Sequence, residues 1–395
     1  MAQAEAISTT RELPAPRRWP WPLAIVIGLG ILVLLAAVIR LGPLTPLGRS
    51  WIVSVATGQK IGRFGRLEVD GLRGDVWGDF SVGRLAIRDP RGVWIEARDL
   101  TMRWDAGDLL HRRLHIRAIT AGRVAVLRRP NLGPVTPPTP SLVSVDLDAV
   151  RGRIELEPAL SGRLGVYDLR AALRVERQGP LAGWLTAASV LAAGDFLRAN
   201  FDLGHKGAFR VVADGVEANG GALAGAAGLA ADKPFALHAR ASGDARSGAF
   251  NLVTRVGAST PLQGVGAWNE AGGRARGRVD LAASSFLARY VAMVGPSASF
   301  DVAGRGAGVG RFAVRAVART DNVTATGAGE IDLAHLATGP KGLAVELAAA
   351  DVGRLLATRG FGSGRLTGTL TGDTREWRFA GAQRLQAIRT ANYTL

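Results

Sequence analysis

Along most of the chain, apolar and polar residues alternate with a period of two. The pattern starts at Arg66, where Leu67 and Val69 alternate with Glu68 and Asp70. Leu85 and Ile87 then alternate with Arg84 and Arg88, and Val93, Ile95 and Ala97 with Trp94, Glu96 and Arg98. Leu100, Met102 and Trp104 follow, interleaved with Thr101, Arg103 and Asp105, and then Leu114, Ile116 and Ala118 with His115 and Arg117. Successive side chains of a strand point to opposite faces, so this alternation predicts strands with one apolar and one solvated face. Gly71, Gly74, Asp89-Pro90-Arg91-Gly92 and Asp105-Ala106-Gly107 supply turns between them. The expectation is an antiparallel meander with Leu85, Ile87, Val93, Ile95, Leu100, Met102, Leu114 and Ile116 all on one side, lining a lipid-accessible surface.

Five prolines between residues 130 and 140 interrupt the meander. Proline brings no N–H to a ladder, so 130–141 reads as a stiff extended linker. Strands resume with Val143, Val145 and Leu147, then Ile154, Leu156, Leu164 and Val166, then Leu169, Ala171, Leu173 and Val175. Alternation weakens over 192–280, where alanine and glycine dominate, but returns at Phe250 and Leu252, at Phe312 and Val314, over 325–333, at Leu343, Val345 and Leu347, and around Trp377 and Phe379. Short helices are expected at 50–58, 181–191, 285–294 and 352–358.

One run breaks the period altogether. It begins at Leu23, ends at Ile39 and holds 17 apolar or glycine residues without a charge. As a helix it measures about 26 Å, close to the ~30 Å hydrocarbon core of a bilayer. Trp19 and Trp21 precede it and Arg40 follows, and no small-residue cleavage site comes after it. It reads as an uncleaved transmembrane signal anchor. Arg11, Arg17 and Arg18 lie before it against Arg40 and Arg49 after it, and no second run of spanning length follows. These features place the N-terminus in the cytoplasm and residues 42–395 on the far side of the membrane; if the cell is a Gram-negative bacterium, that membrane is the inner one and that side the periplasm. The expected plan is a tail (1–22), the anchor (23–41), a first meander (42–129), the linker (130–141) and continuing strands (142–395).

Composition narrows the chemistry. The 395 residues include no cysteine, which excludes disulfide bracing, zinc-thiolate sites and thiol nucleophiles. The net charge of +16 comes mostly from arginines recurring singly between apolar residues, the pattern of a solvated strand face rather than of a nucleic-acid-binding block. A basic outer face also suits anionic lipid headgroups. His111 and His115 form H-x-x-x-H, but Arg112 stands where a metalloprotease helix carries glutamate, and His205, His238 and His335 are isolated. Gly304, Gly306, Gly308 and Gly310 lack the Lys-Ser/Thr ending of a nucleotide loop. Glu155 with Glu157 and Asp146 with Asp148 sit two apart on polar strand faces. No catalytic, cofactor or metal constellation is expected, and no enzymatic activity.

The segments 71–74, 89–94, 100–104 and 114–130, framed by one N-terminal apolar run and a proline-rich linker, resemble the N-terminal portion of the TamB family. These are the inner-membrane subunits of the translocation and assembly module, within the wider AsmA-like group. The resemblance implies an elongated, curled antiparallel sheet forming an open, β-taco-like trough with an apolar interior. It implies phospholipid transfer, or outer-membrane protein (autotransporter) assembly and secretion, with an outer-membrane barrel of the BamA/TamA type as partner. The family's C-terminal domain has no counterpart, and the strand-like stretch at 392–395 suggests a chain stopping short of it. The fold expectation is thus mainly β, with a single N-terminal transmembrane helix and a few short helices. Curling answers a physical problem, because alternating strands must bury one face and there are few helices to cover it. With neighbours ~4.8 Å apart, some 25–30 strands in single file give a trough of roughly 120–145 Å. The competing expectation is an anchored structural or adhesive β protein with a filled core.

Overall fold

The computed structural model describes residues 45–133, 143–177, 179–204, 207–358, 361–373 and 376–385. The chain forms two units, residues 1–51 and 52–395. Helix α1 (Pro46–Ala56) spans their boundary.

Nineteen strands make one sheet in the second unit. They are β1 (Arg66–Gly74), β2 (Asp79–Asp89), β3 (Gly92–Asp105), β4 (Arg113–Val126), β5 (Ser144–Leu156), β6 (Gly165–Val175), β7 (Leu181–Ser189), β8 (Phe196–Leu203), β9 (Phe209–Glu217) and β10 (Phe235–Gly243). They continue with β11 (Gly248–Val256), β12 (Ser259–Asn269), β13 (Gly272–Asp280), β14 (Ser297–Gly308), β15 (Arg311–Thr320), β16 (Val323–Asp332), β17 (Ala337–Ala349), β18 (Gly364–Gly372) and β19 (Trp377–Leu385). Each pairs with its neighbour in sequence, and among the described residues β1 and β19 are the outermost strands. All pairings are antiparallel except β4 with β5, which is parallel. This corrects the expectation of a purely antiparallel sheet. The segment between Val126 and Ser144 is long enough to carry the chain back along the strand direction before β5 begins.

Other expectations need correction. No helix among the described residues is long and apolar enough to cross a membrane. The longest, α1, has 11 residues and measures about 17 Å, roughly half of what a span needs. The fold as described therefore contains no transmembrane helix; Leu23 and Ile39 lie outside the described residues, as does the linker from 134 onward. Residues 181–191 hold β7 rather than a helix. Its Leu181, Gly183, Leu185 and Ala187 sit opposite Val175, Leu173, Ala171 and Leu169 of β6, so cross-strand packing overrides the helix propensity of leucine and alanine.

The period of two also breaks within strands. Apolar positions jump by three, from Val69 to Leu72, Val82 to Leu85, Ala97 to Leu100 and Ala121 to Val124. Between them lies a row without ladder partners: Gly71, Gly83, Asp99 and Gly122. Gly71 (φ 71°) and Asp99 (φ 52°) adopt the left-handed conformation there. Such a residue interrupts the pleat and resets which face the following side chains take. Asp99 is costly in this geometry, and a short polar side chain tolerates it better than most.

The sheet's two ends differ. The strands β5, β9, β13 and β17 are mutually parallel and all exit at one rim. There the chain passes through α2 (Pro158–Ser161), α3 (Ala222–Ala226), α4 (Ala288–Val294) and α5 (Val352–Leu356). These helices begin 64, 66 and 64 residues apart, one for every four strands. The intervening connections at the same rim, after β7, β11 and β15, are short turns. Adjacent helical connections touch: α2 with α3 and α4 with α5. The Ser285 N–H donates to the Gly228 carbonyl at 2.7 Å, joining the middle pair.

Arg129 fastens this row. Its guanidinium lies 3.8 Å over the Phe286 ring and donates to the carbonyls of Leu160, Gly225 and Ala226. Asn322, 3 % exposed, plays the same part between α4 and α5. Its amide donates to the Met293 and Asp351 carbonyls and its oxygen accepts from the Asp351 N–H.

Candidate functional site

Ladder partners in adjacent strands share a face, so the register reports where each expected residue lies. Ile87 faces Ile95, which faces Val126, then Leu156 and Gly165. Leu85 leads through Ala97, Val124 and Ile154 to Tyr167. Leu100 leads through Ala121 and Gly152 to Leu169, and Met102 through Ile119 and Val150 to Ala171. Ile116 leads through Leu147 to Leu173, and Leu114 through Val145 to Val175. The six endpoints alternate along β6, whose register with β7 has no shift. They therefore lie on one face, and the register brings seven of the eight residues to it despite the parity break. Val93 is two residues from Ile95 on the same strand, and its own partner is Arg88, past a bulge.

That face runs on without interruption. From Trp104 and Ile116 one row passes Leu147, Leu173, Gly183, Phe201, Val211, Ala241, Phe250, Gly266 and Ala275. It continues through Val302, Ala316, Gly327, Val345, Gly368 and Gly381. No polar side chain appears in this row from β3 to β19. Glycines leave room for rings from the next strand: a methyl at Gly266 would lie 2.4 Å from the Phe250 ring, and one at Gly277 2.5 Å from that of Phe300.

The face deepens into a pocket of about 470 Å³ between β9 and the β16–β17 turn. Phe209, Phe250, Trp268, Val302, Phe312, Val314 and Ile331 line it. Phe312 and Val314 are buried. The Phe209 and Trp268 rings stack at 6.0 Å, and the Trp268 N–H donates to the Asp244 carbonyl at 3.0 Å, fixing the indole. A methyl on Gly310 would come within 3.3 Å of Ala245 and 3.6 Å of Ala334, so three hairpin tips converge beside this pocket. Sequence reading missed this aromatic pocket, because its residues come from seven strands and the turns between them, and no local stretch shows them together.

The opposite face is polar and, in the first strands, closely paired in charge. Glu96 accepts from Arg98 at 2.6 Å and from Arg84 at 2.9 Å, and both arginines hold its carboxyl below the ordinary value. Arg88 bonds Glu68, Arg117 bonds Asp105, Arg123 bonds Glu155 and Arg174 bonds Asp146.

Asp105, Asp108 and His115 also come together, with ligand atoms within 4.8 Å of one another. The His115 Nε2 lies 2.9 Å from Asp148, whose bond raises the imidazole pKa. These residues are of the kind that hold a divalent cation, but Arg117 engages both oxygens of Asp105 at 2.7 Å. As arranged, the cluster is an internally satisfied ion-pair network. Sequence reading missed it because Asp148 arrives only through the parallel β4–β5 pairing. Compared with protein-family models, curated proteins and solved structures, the chain matches none.

Proposed function

We propose that the chain carries phospholipid along its apolar sheet face, in the manner implied by its resemblance to the TamB and AsmA-like proteins. The observation that supports this most directly is the uninterrupted apolar row across β3–β19 together with the aromatic pocket it enters. Acyl chains seek surface of this kind, since each buried methylene contributes about 0.8 kcal/mol. A face of small residues, glycines and rings, most of them only half-buried, leaves apolar surface for a long flexible ligand. Outer-membrane biogenesis is the process such transport serves, and a BamA/TamA-type barrel is the partner proposed for it.

The test is mass spectrometry of the full-length protein purified in a mild detergent. Phospholipid retained with it, and displaced by widening the apolar pocket's polarity through Phe312→Asp, supports the reading. A lipid-free protein that also fails to take up added phospholipid leaves the structural alternative, a sheet whose apolar face is filled by its own side chains.

A further inference from the structure

The polar face of β9–β13 differs from that of the first strands. Register places Arg210, Ser242, Ala249, Ala267 and Arg274 in one row, and Val212, Arg240, Asn251, Val265 and Arg276 in the next. Both rows lie opposite to the apolar face, since Val211, Ala241, Phe250, Gly266 and Ala275 occupy the alternate positions. The result is a depression of about 630 Å³ with Arg210 and Arg240 along one wall and Arg274 and Arg276 along the other. Arg240 on β10 stands three strand spacings from β13 and Arg210 on β9 four, about 14 and 19 Å. Small and apolar residues form the floor between them, and all four arginines are exposed.

Charge compensation here is thin. On β1–β6 most of the arginines, among them Arg84, Arg88, Arg98, Arg117, Arg123 and Arg174, are tied to carboxylates. In this depression Asp301 serves one wall alone: it binds Arg274 at 3.2 and 2.5 Å, and the nearby Arg276 helps hold its carboxyl below the usual range. Asp202 sits opposite Arg210 in the ladder, and Asp214 is taken by His238 at 2.6 Å. No ion pair joins Arg210, Arg240 or Arg276 to a carboxylate among the described residues.

We propose that this arginine-walled depression binds a phosphate-bearing ligand, either the headgroup of an anionic phospholipid or a free phosphate. Guanidinium forks match phosphate oxygens two at a time, and a lysine in the same place acts only as a point charge. Two facing pairs of forks across an uncharged floor hold an anion between them. The ordinary reading of surface arginines, a solvated strand face, does not account for four of them around one concavity with so few acids. The site lies on the face opposite the apolar row and stands whether or not that row carries lipid.

The test uses the full-length protein in neutral detergent and isothermal calorimetry with two water-soluble probes, inorganic phosphate and glycerophosphoglycerol. The expected result is saturable binding of at least one, weakened tenfold or more by Arg240→Ala with Arg276→Ala. Arg315→Ala, an outer-face arginine on β15, leaves it unchanged. Binding of glycerophosphoglycerol alone identifies a lipid headgroup, and binding of phosphate alone a free anion. Should the double alanine variant lose its fold, Arg240→Lys with Arg276→Lys keeps the charge and is expected to weaken binding several-fold. Absence of saturable binding of both probes, or equal affinity in parent and folded variants, overturns the proposal.

Discussion

The hydroxyl of Tyr167 donates to Glu217 Oε1 at 2.6 Å, joining β6 to β9 across two intervening strands. Glu217 is fully buried, and no ion pair reaches it among the described residues; the N–H groups of Leu223 and Ala224, each at 2.9 Å, complete its coordination. The carboxylate thereby fixes the start of α3, and burial together with Glu217 pushes the Tyr167 phenol above its ordinary pKa. Tyr167→Phe leaves one carboxylate oxygen short of a donor and is expected to cost about 1–2 kcal/mol in denaturant unfolding. Glu217→Gln points an amide N–H₂ at a backbone donor and is expected to cost more. A Tyr167→Phe protein as stable as the parent would remove this bond from the account.

Asp89 gives the fold a defined acid limb. Its buried carboxylate accepts from Arg128 at 2.6 and 2.9 Å and from the N–H groups of Asn131 and Arg91. These donors, Arg128 first, hold its pKa far below the carboxylate range. The unfolded value is about 3.9, so the stabilisation is complete above that pH and declines as pH falls below it. Thermal midpoints are expected to hold between about pH 5 and 7 and to drop on further acidification. Asp89→Asn lowers the neutral midpoint and flattens the acid limb. An equally steep limb in the variant would assign acid sensitivity to other carboxylates.

Gly225 marks where the helical connections touch. A methyl there would sit 1.6 Å from the Ser161 carbonyl oxygen, a backbone atom that cannot step aside. Gly225→Ala is expected to separate α2 from α3 and lower stability by about 1–3 kcal/mol, the usual range for overpacking. Faster amide exchange confined to 157–164 and 218–231 is the accompanying signature. Unchanged exchange in both segments would show that the contact carries no stability.

Ile95→Glu separates an open apolar surface from a sealed core. Ile95 is half-buried, so a carboxylate at its position reaches water if the face is open. The expected outcome is a folded protein with reduced bound phospholipid. In a sealed core the same change buries an unpaired charge at a cost of several kcal/mol and unfolds the domain. Thr101→Glu, exposed on the opposite face between Ser81 and Thr120, is the control and leaves bound lipid intact.

Alternation is a local property, and it revealed the strands of the first meander and marked seven of the eight apolar residues that the register gathers on one face, while the helices near 50 and 288 were visible as breaks in it. What escaped notice was non-local. The jump from Ala97 to Leu100 is visible in the residues, but only the left-handed Asp99 explains how both halves reach the same face. The parallel pairing of Leu114 with Val145 depends on a linker whose path residues alone do not set. Trp184 lies between Ala172 and Asn200 in the ladder, yet in Leu-Ala-Gly-Trp-Leu-Thr-Ala-Ala it reads as part of a helix. The arginine depression and the aromatic pocket draw on strands far apart in sequence. The repeat of the helical connections is equally hidden, because spacing recurs while residue identities do not: Pro-Ala-Leu-Ser at one, Val-Gly-Arg-Leu-Leu at another.

That recurrence makes length a countable quantity. Four strands and one helical connection, some 64 residues, form a module that pairs strand by strand with the next, and stability in such arrays accumulates chiefly by nearest-neighbour contributions. Each module extends the sheet by about 19 Å across four strand spacings. A chain of this design grows or shrinks in whole modules, by duplication or deletion, without redesigning a central core. Damage to one module stays local in the same way, so span can evolve step by step while the face it presents stays continuous.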